Sequence, residues 1–266
     1  MKRPTAPLPV AGLQLDIAWE DPEENLRRAE TLAARAAAAG ARLAVLPEMF
    51  NTGFSMAAER VAPHAEAARV GLAAIARRNG LWLVGGYAEP GDEGGRPRNA
   101  CSLMAPDGRE ALRYHKIHPF GFAGEHLHYQ GGDALPTADV EGLRVTVLIC
   151  YDLRFPEPFR AAATRTDLYV VIANWPAARR DAWRVLLRAR AIENQAYVLG
   201  VNRVGEGDGL AYAGDSALVG PLGEVVAEAG AAAEVLVGEV DAAAVAEARA
   251  RFTFLADRRP GVYGAL

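Results

Sequence analysis

Short apolar segments alternate with longer helical segments along the chain, and this alternation is the feature that most constrains the fold. Residues 9–15 predict a strand, and an Ala-rich helix over 25–39 follows, with an acidic, proline-bearing start. The further predicted strands cover 42–46, 81–87, 99–105, 109–116, 143–150, 167–173, 196–204, 215–219 and 224–229, and the further helices cover 65–78, 181–195 and a segment from about 157. Strands that alternate with helices in this way predict a layered α/β fold in which helices cover the sheets.

Composition and charge limit the chain to a few classes of protein. It has 266 residues, of which 51% are hydrophobic, and it shows no linker or repeat, so a single domain over 1–266 is the simplest prediction. The formal net charge of −4 provides no basic field that would attract nucleic acid or an anionic membrane. No apolar run reaches the length of about 18 residues that a membrane-spanning helix needs.

Cysteine usage favours a reducing compartment. Cys101 and Cys150 are the only cysteines, which is too few for a disulfide framework. Residues 1–9 carry positive charge, but prolines occur where a signal peptide needs its apolar stretch. We therefore expect a cytoplasmic protein, in which a thiol would stay reduced.

Three strand-like runs end in side chains that could act together chemically. One run ends at Pro47 and Glu48, a second is followed by Lys116, and a third ends at Cys150 before a polar turn. A thiol becomes an effective nucleophile only when a base or a cation lies beside it. The pattern therefore predicts a nucleophilic Cys150 at the edge of a sheet, whereas Cys101 has no such neighbours in sequence and is expected to be a buried apolar residue.

These residues resemble the catalytic set of the nitrilase superfamily of carbon–nitrogen hydrolases. Glu48, Lys116 and Cys150 match the base, the lysine and the nucleophile of that family, and Glu125 matches a second glutamate that helps to position the lysine. The similarity runs over residues 10–241, which is nearly the whole chain. It implies an α/β fold of a specific type, a four-layer α-β-β-α sandwich in which two sheets pack face to face between helical layers.

Three segments are most similar to the omega-amidase branch of the superfamily: residues 47–56, 124–129 and 173–176. Omega-amidases hydrolyse the terminal amide of 2-oxoglutaramate and related 2-oxo acid amides to the acid and ammonia. A nitrilase or an N-carbamoyl amino acid hydrolase on the same scaffold is the alternative, although those enzymes match these segments less well. A non-catalytic binding protein is a third interpretation, but such a member would lack part of the catalytic set.

The resemblance also implies a role for each residue of the set. Cys150 would attack the amide carbonyl and form a thioester, while Glu48 would act as the general base and then as the acid for the leaving ammonia. Lys116 and the backbone N–H of Tyr151 would face the negative oxygen of the tetrahedral intermediate. Glu125 would support the lysine without carrying a proton.

A substrate with a carboxylate distant from its amide needs a cation in the pocket. Arg154 is the nearest candidate in sequence, because it follows the nucleophile by four residues and its guanidinium can bind a carboxylate through two hydrogen bonds. Arg179 and Arg203 are further candidates. An ion pair between Asp152 and Arg154 that shapes the turn after the nucleophile is the alternative interpretation.

Aromatic side chains in the motif segments could form the walls of a small pocket. Phe54, Tyr129 and Trp175 are predicted to contact the substrate. Phe50, Phe120 and Phe122 could do the same, although Phe120 and Phe122 could equally belong to the core. The aromatic residues in these segments are Phe50, Phe54, Phe120, Phe122, Tyr129 and Trp175.

Four histidines occur within a short stretch, and two of them form a His126-x-His128 pair. No motif such as His-Glu-x-x-His or Cys-x-x-Cys supplies further ligands, so neither a metal nor a cofactor is predicted. The histidines are expected to shape the loop that carries Lys116 and Glu125. The four histidines of the stretch are His115, His118, His126 and His128.

The C-terminal tail, about residues 250–266, carries apolar side chains beyond the last predicted α/β element. A monomer would have little core left to bury them, which predicts a homodimer or a higher homo-oligomer with the tail at the subunit interface. The resemblance implies the same, because family members pair through the helices beside the nucleophile and cross their C-terminal segments.

Overall fold

Two six-stranded sheets form the centre of the fold in the computed structural model, which describes residues 6–263. The strands are β1 (Leu8–Gln14), β2 (Leu43–Val45), β3 (Trp82–Glu89), β4 (Arg98–Met104), β5 (Glu110–His115), β6 (Thr137–Val140), β7 (Leu143–Ile149), β8 (Leu168–Ala173), β9 (Tyr197–Asn202), β10 (Val204–Gly207), β11 (Leu210–Ala213), β12 (Ala217–Val219), β13 (Val225–Glu228) and β14 (Glu234–Val240). The helices are α1 (Pro22–Ala38), α2 (Ala58–Val61), α3 (Ala65–Asn79), α4 (Glu125–His128), α5 (Pro156–Ala162), α6 (Arg180–Asn194), α7 (Ala242–Arg251) and α8 (Pro260–Tyr263).

The two sheets have the same plan, a parallel centre with antiparallel edges. The first sheet has the order β14-β1-β2-β3-β4-β5, and the second has the order β13-β12-β9-β8-β7-β6. Strands β1, β2 and β3 run parallel to one another, as do β7, β8 and β9. Parallel strands end at the same edge of their sheet. The segments that follow β7 and β8 therefore leave the second sheet at one edge, as the segment that follows β2 leaves the first.

Helices cover the outer face of each sheet, and the inner faces pack on each other. Val45 and Val84 of the first sheet share one buried cluster with Val147 and Ile172 of the second. A separate cluster joins α1 and α3 to the outer face of the first sheet, and α6 packs on β9 of the second. The fold is thus the predicted four-layer α-β-β-α sandwich.

The predicted helices begin and end close to where they are observed. Asp21 caps α1, since its carboxylate accepts a hydrogen bond from the backbone N–H of Glu24 at 3.1 Å. The helix therefore starts at Pro22, three residues before the prediction. Gly80 ends α3 in the left-handed conformation, with φ of 63°, as a glycine after a helix commonly does.

The main differences from the prediction lie in the second half of the chain. The predicted strand 196–204 is interrupted after Asn202, and the expected loop 206–209 is the turn of a separate two-stranded hairpin, β10–β11. Strands β6 and β14 and helix α7 were not predicted from the sequence. Strand β14 pairs with β1 along the edge of the first sheet.

The described part of the C-terminal tail is mostly exposed, and Phe254 retains 52% of its accessible surface. The remaining residues of the tail prediction, 264–266, lie outside the described residues, as do residues 1–5 of the N-terminal segment. No helix among residues 6–263 is long and apolar enough to cross a membrane.

Candidate active site

Glu48 follows β2 and is fully buried, with both carboxylate oxygens in hydrogen bonds. Its Oε1 accepts from Lys116 Nζ at 2.9 Å and from Asn99 Nδ2 at 2.7 Å. Its Oε2 accepts from the backbone N–H of Asn174 at 2.8 Å, and the Asn174 side chain donates to the Glu48 carbonyl oxygen at 2.6 Å. Groups from both sheets therefore determine the orientation of this carboxylate.

Lys116 lies between two carboxylates and is almost completely buried. Besides the bond to Glu48, its Nζ donates to Glu125 Oε2 at 2.9 Å and to Oε1 at 3.2 Å, and it lies 5.1 Å from the centre of the Phe54 ring. Burial by itself would lower the pKa of Lys116, but the charges of Glu125 and Glu48 outweigh it and raise the pKa. Lys116 is therefore a fixed positive charge at neutral pH.

Glu125 is the second carboxylate on Lys116, and it lies at the start of α4. Burial raises its pKa, while the charge of Lys116 acts in the opposite direction. Asn99 Nδ2 donates to Glu125 Oε1 at 2.9 Å, and the backbone N–H of Phe120 donates to Oε2. Glu125 thus contacts the lysine that the sequence predicts it to support.

Cys150 follows β7 and opens a short 3-10 helix, Cys150–Arg154, with a left-handed backbone at φ 46°. Non-glycine residues rarely adopt this conformation, and strain of this kind is common at functional sites. Burial raises the pKa of the Cys150 thiol well above its usual value, and the charge of Glu48 raises it further, whereas Lys116 lowers it. The thiol is therefore protonated in the free protein, within the range of the charge of the Glu48 carboxylate.

Asp152 stabilises the turn that carries Cys150. Its Oδ2 accepts from the Tyr114 hydroxyl at 2.7 Å and from the backbone N–H of Ile149 at 3.0 Å. Its Oδ1 pairs with His118 Nδ1 at 2.8 Å and accepts from the His118 N–H at 3.0 Å. Within residues 6–263 it forms no ion pair with Arg154, so that alternative interpretation is wrong: the carboxylate is used by other donors.

A cavity of about 210 Å³ opens onto Cys150. Arg154 lies over the Trp175 ring at 4.9 Å, and Arg179 lies over the Phe120 ring at 5.3 Å. Neither arginine has a carboxylate partner among the described residues. The side chains that line the cavity are Phe54, Met56, Phe120, Phe122, Ala123, Cys150, Tyr151, Arg154, Asn174, Trp175, Pro176, Arg179, Asp208, Leu210 and Tyr212.

Two predicted substrate contacts do not reach this cavity. Tyr129 is buried, and its hydroxyl donates to the Ser55 carbonyl oxygen at 2.6 Å, so it secures the loop behind Phe54 instead of lining the pocket. Arg203 is fully buried and donates to the backbone oxygens of Ile17 at 2.9 Å and Glu206 at 2.8 Å. It therefore supports the backbone beneath the site.

Sequence reasoning missed several residues of the site and misplaced one more. Asn99 and Asn174 bond to the glutamates, but only Asn174 gave a signal, because it directly follows β8 and lies in one of the motif segments. Asp208, Leu210 and Tyr212 come from the hairpin that was expected to be a loop. The expected pocket residue Phe50 packs instead with the helices outside the first sheet.

The His126-x-His128 pair does not form part of a metal site among the described residues. His126 and His128 are exposed on α4. Across residues 6–263, no group of three or more His, Cys, Asp or Glu side chains could hold a metal ion.

Comparison with known proteins agrees with this geometry. A model of the carbon–nitrogen hydrolase family matches residues 9–250. The chain belongs to this family. It is accordingly a hydrolase that acts on carbon–nitrogen bonds other than peptide bonds, as the sequence predicted.

Relatives narrow the activity within the family. The omega-amidase YafV of Escherichia coli K12 is 39% identical over 92% of this chain and 94% of its own length. A 2-oxoglutaramate amidase of Bacillus subtilis strain 168 is 32% identical over 96% of this chain and 98% of its own length. A solved variant of the amidase from Nesterenkonia sp. AN1, with acrylamide added at its active-site cysteine, has a TM-score of 0.87 at 30% identity, covering 96% of this chain and 98% of that chain. The predicted amidase activity through a cysteine is thereby confirmed.

We expect substitution of two neighbouring glycines of β3 to affect different properties, catalysis for Gly86 and stability for Gly85. A Cβ on Gly86 would lie 2.9 Å from the Glu48 Cα, and one on Gly85 would lie 2.6 Å from the flexible end of Leu72. Gly86→Ala should displace the Glu48 backbone and lower kcat/KM by about 100-fold, the effect of a shift of about 1 Å. Gly85→Ala should lower the free energy of unfolding by about 1–3 kcal/mol while turnover persists.

Amide hydrolysis and urea unfolding of both variants would test this pair. Equal loss of activity in the two would mean that the Gly86 position acts on stability and does not position Glu48.

Proposed function

We propose that this protein is an omega-amidase that hydrolyses the terminal amide of a small 2-oxo dicarboxylic acid monoamide, of the 2-oxoglutaramate or 2-oxosuccinamate type, to the acid and ammonia. The observation that carries the substrate class is the pair of arginines, Arg154 and Arg179, in the cavity that opens onto Cys150. Two guanidinium groups without carboxylate partners among the described residues would attract a substrate carboxylate. The names of the two relatives support the same class.

The reaction begins at the buried thiol. The Cys150 sulfur attacks the amide carbon while its proton passes to Glu48, so a carbon–sulfur bond forms as the S–H bond breaks. The proton transfer has to accompany the attack, because burial and the charge of Glu48 keep the thiol protonated beforehand. The carbonyl oxygen then carries the negative charge of a tetrahedral intermediate.

Fixed donors stabilise that oxygen. Lys116 supplies a full charge, and the backbone N–H of Tyr151 follows the nucleophile at the start of the 3-10 helix. Loss of one such donor typically costs about 3–4 kcal/mol in the barrier. The intermediate collapses when Glu48 returns its proton to the nitrogen, the carbon–nitrogen bond breaks and ammonia leaves a thioester. A water molecule that Glu48 deprotonates then attacks the thioester, the carbon–sulfur bond breaks, and Glu48 returns the proton to the sulfur as the acid is released.

The distal carboxylate would bind to Arg154. Its guanidinium lies over the Trp175 ring, 4.9 Å from the ring centre, so its plane has a support on one side. Phe54 and Trp175 line the same cavity and would hold the carbon chain of the substrate. Arg179 would provide a second positive charge nearer the exposed Phe122.

A substrate comparison tests the proposed function. Release of ammonia from 2-oxoglutaramate should exceed the turnover of an aliphatic nitrile and of an N-carbamoyl amino acid at equal concentration, as measured by coupled ammonia and product assays. Preference for the nitrile or the carbamoyl compound would contradict the proposal and assign the protein to one of the other activities of this family.

Variants of Cys150, Cys101 and Glu48 test the proposed catalytic roles in the same ammonia-release assay. Cys150→Ala should abolish hydrolysis, while Cys101→Ala should keep most of it, because Cys101 is fully buried and burial raises its pKa. Glu48→Gln is nearly isosteric but cannot accept a proton, so both turnover and alkylation of Cys150 by iodoacetamide should slow. Substantial turnover by Cys150→Ala would refute the assignment of the nucleophile.

Arg154→Lys should raise KM for 2-oxoglutaramate about fivefold. A lysine keeps the charge but loses one of two parallel hydrogen bonds to the carboxylate, which is worth about 1 kcal/mol. KM for pentanamide, which has no carboxylate, should change little. If KM rises equally for both substrates in steady-state assays, Arg154 shapes the pocket, and Arg179 becomes the candidate for the carboxylate.

We further propose a cytoplasmic homodimer. Val185 and Ile192 on α6 and Phe254 in the tail are all exposed, and Ile192 and Phe254 line one surface groove. A second copy of the chain would bury them with the rest of the tail. Sedimentation at micromolar concentration should give a dimer, and a fully active monomer would contradict this.

A further inference from the structure

The β10–β11 hairpin lies apart from both six-stranded sheets and forms its own two-stranded sheet. Gly207 pairs with Leu210, so Asp208 and Gly209 form a two-residue turn. Both turn residues are left-handed, with φ of 49° and 71°. This is the geometry of a type I′ turn, in which Asn-Gly and Asp-Gly are preferred. The position of Asp208 is therefore well defined by the backbone.

One face of this hairpin forms a wall of the cavity. Leu210 and Tyr212 line it, as expected for alternate residues of a strand. The root of the hairpin is anchored by the buried Arg203, which donates to the Glu206 carbonyl oxygen at 2.8 Å and lies over the Tyr212 ring at 4.5 Å. The turn is thus held at the mouth of the cavity, where Leu210 remains 46% exposed.

The charged side chains along the cavity are two arginines and one aspartate, Arg154, Arg179 and Asp208. Among the described residues Asp208 forms no ion pair with either arginine or with any other side chain, so its charge is not neutralised by a protein partner. Asp208 lines the same cavity as both arginines, so its charge acts on the same bound substrate.

We propose that Asp208 tunes the charge selectivity of the pocket: at the end of the substrate distant from the scissile amide, it weakens the binding of a carboxylate and favours an ammonium group. The inference deepens the proposed function, since it concerns the same pocket. The arginines attract a carboxylate, and the aspartate at the mouth attracts a cationic group and repels an anionic one. A zwitterionic α-amino acid amide, which carries an ammonium group as well as a carboxylate, would then bind better than it would to a pocket with the arginines alone.

Asp208→Asn isolates this charge. Asparagine is isosteric with aspartate and suits the left-handed turn position, so the hairpin should keep its conformation. The matched substrates are glutaramate, pentanamide and 4-aminobutanamide, which share the scissile amide and three methylene groups and end in a carboxylate, a methyl and an ammonium group. Steady-state kcat/KM would be measured for each with the wild type and the variant.

We expect kcat/KM to rise about two- to fivefold for glutaramate and to fall by a similar factor for 4-aminobutanamide, the range for an exposed charge pair. The value for pentanamide should stay unchanged. The opposite shifts should shrink as the ionic strength rises, because salt screens exposed charges. Equal changes for all three substrates, or no change for the charged ones, would overturn the proposal.

Glu206→Gln is the matched control, since it removes the same charge from the same hairpin at a residue outside the cavity lining. It should leave the ratio between the three substrates close to that of the wild type. An effect as large as that of Asp208→Asn would mean that net charge acts at long range and would also overturn the proposal.

Failure of the proposed function would look different. If the wild type hydrolysed pentanamide and 4-aminobutanamide but not glutaramate, the carboxylated substrate class would be wrong. The ratio of 4-aminobutanamide to pentanamide would still test Asp208 in that case.

Discussion

The rest of the site depends on the buried contact of one ammonium group with two carboxylates. Lys116 bonds Glu48 and Glu125 at 2.9 Å each, with all three side chains almost completely buried. Taking charges out of water is costly, and removing one partner of such a pair typically destabilises a protein by about 3–5 kcal/mol. Hydrogen bonds from the Asn99 side chain and from the backbone N–H groups of Asn174 and Phe120 to the two carboxylates offset part of this cost. Both sheets must therefore assemble correctly before the cluster can exist.

Burial and the charge of Glu48 together explain the state of the Cys150 thiol. Burial is the larger cause of its raised pKa, the charge of Glu48 acts in the same direction, and the charge of Lys116 opposes both. Many cysteine enzymes activate the thiol by lowering its pKa, whereas in the mechanism proposed for this protein the proton stays on the sulfur until the substrate carbonyl accepts the electron pair.

The sequence predicted the parts of the site that follow from strand ends. Glu48 lies three residues after the end of β2, and Cys150 comes directly after β7. Strands of this kind deliver the residues that follow them to a common edge, which is why those positions could be inferred. The contacts of Asn99 could not be inferred, because they depend on which strands pair and on their register. The direction of the Tyr129 side chain depends on packing that no local pattern encodes.

The hairpin shows a different limit of sequence-based reasoning. Glu206-Gly-Asp-Gly209 has a loop-like composition, yet the two left-handed residues at its centre, Asp208 and Gly209, make it a tight turn between two short strands. The preference for an Asp-Gly turn was visible in the sequence. The flanking strands were too short and too poor in β-branched residues to be recognised.

The complete hydrogen bonding of Glu48 has a consequence for the order of events in a turnover. Its oxygens are occupied by Lys116, Asn99 and Asn174 and have no contact with bulk water, so a proton taken from Cys150 cannot escape to solvent. In the proposed mechanism the carboxyl group therefore keeps that proton until the leaving nitrogen takes it and the carbon–nitrogen bond breaks. The thioester forms in this same step, and only afterwards is Glu48 again a base that can deprotonate water. Burial of Glu48 would thus ensure that the proton taken from the thiol is the one that ammonia carries away.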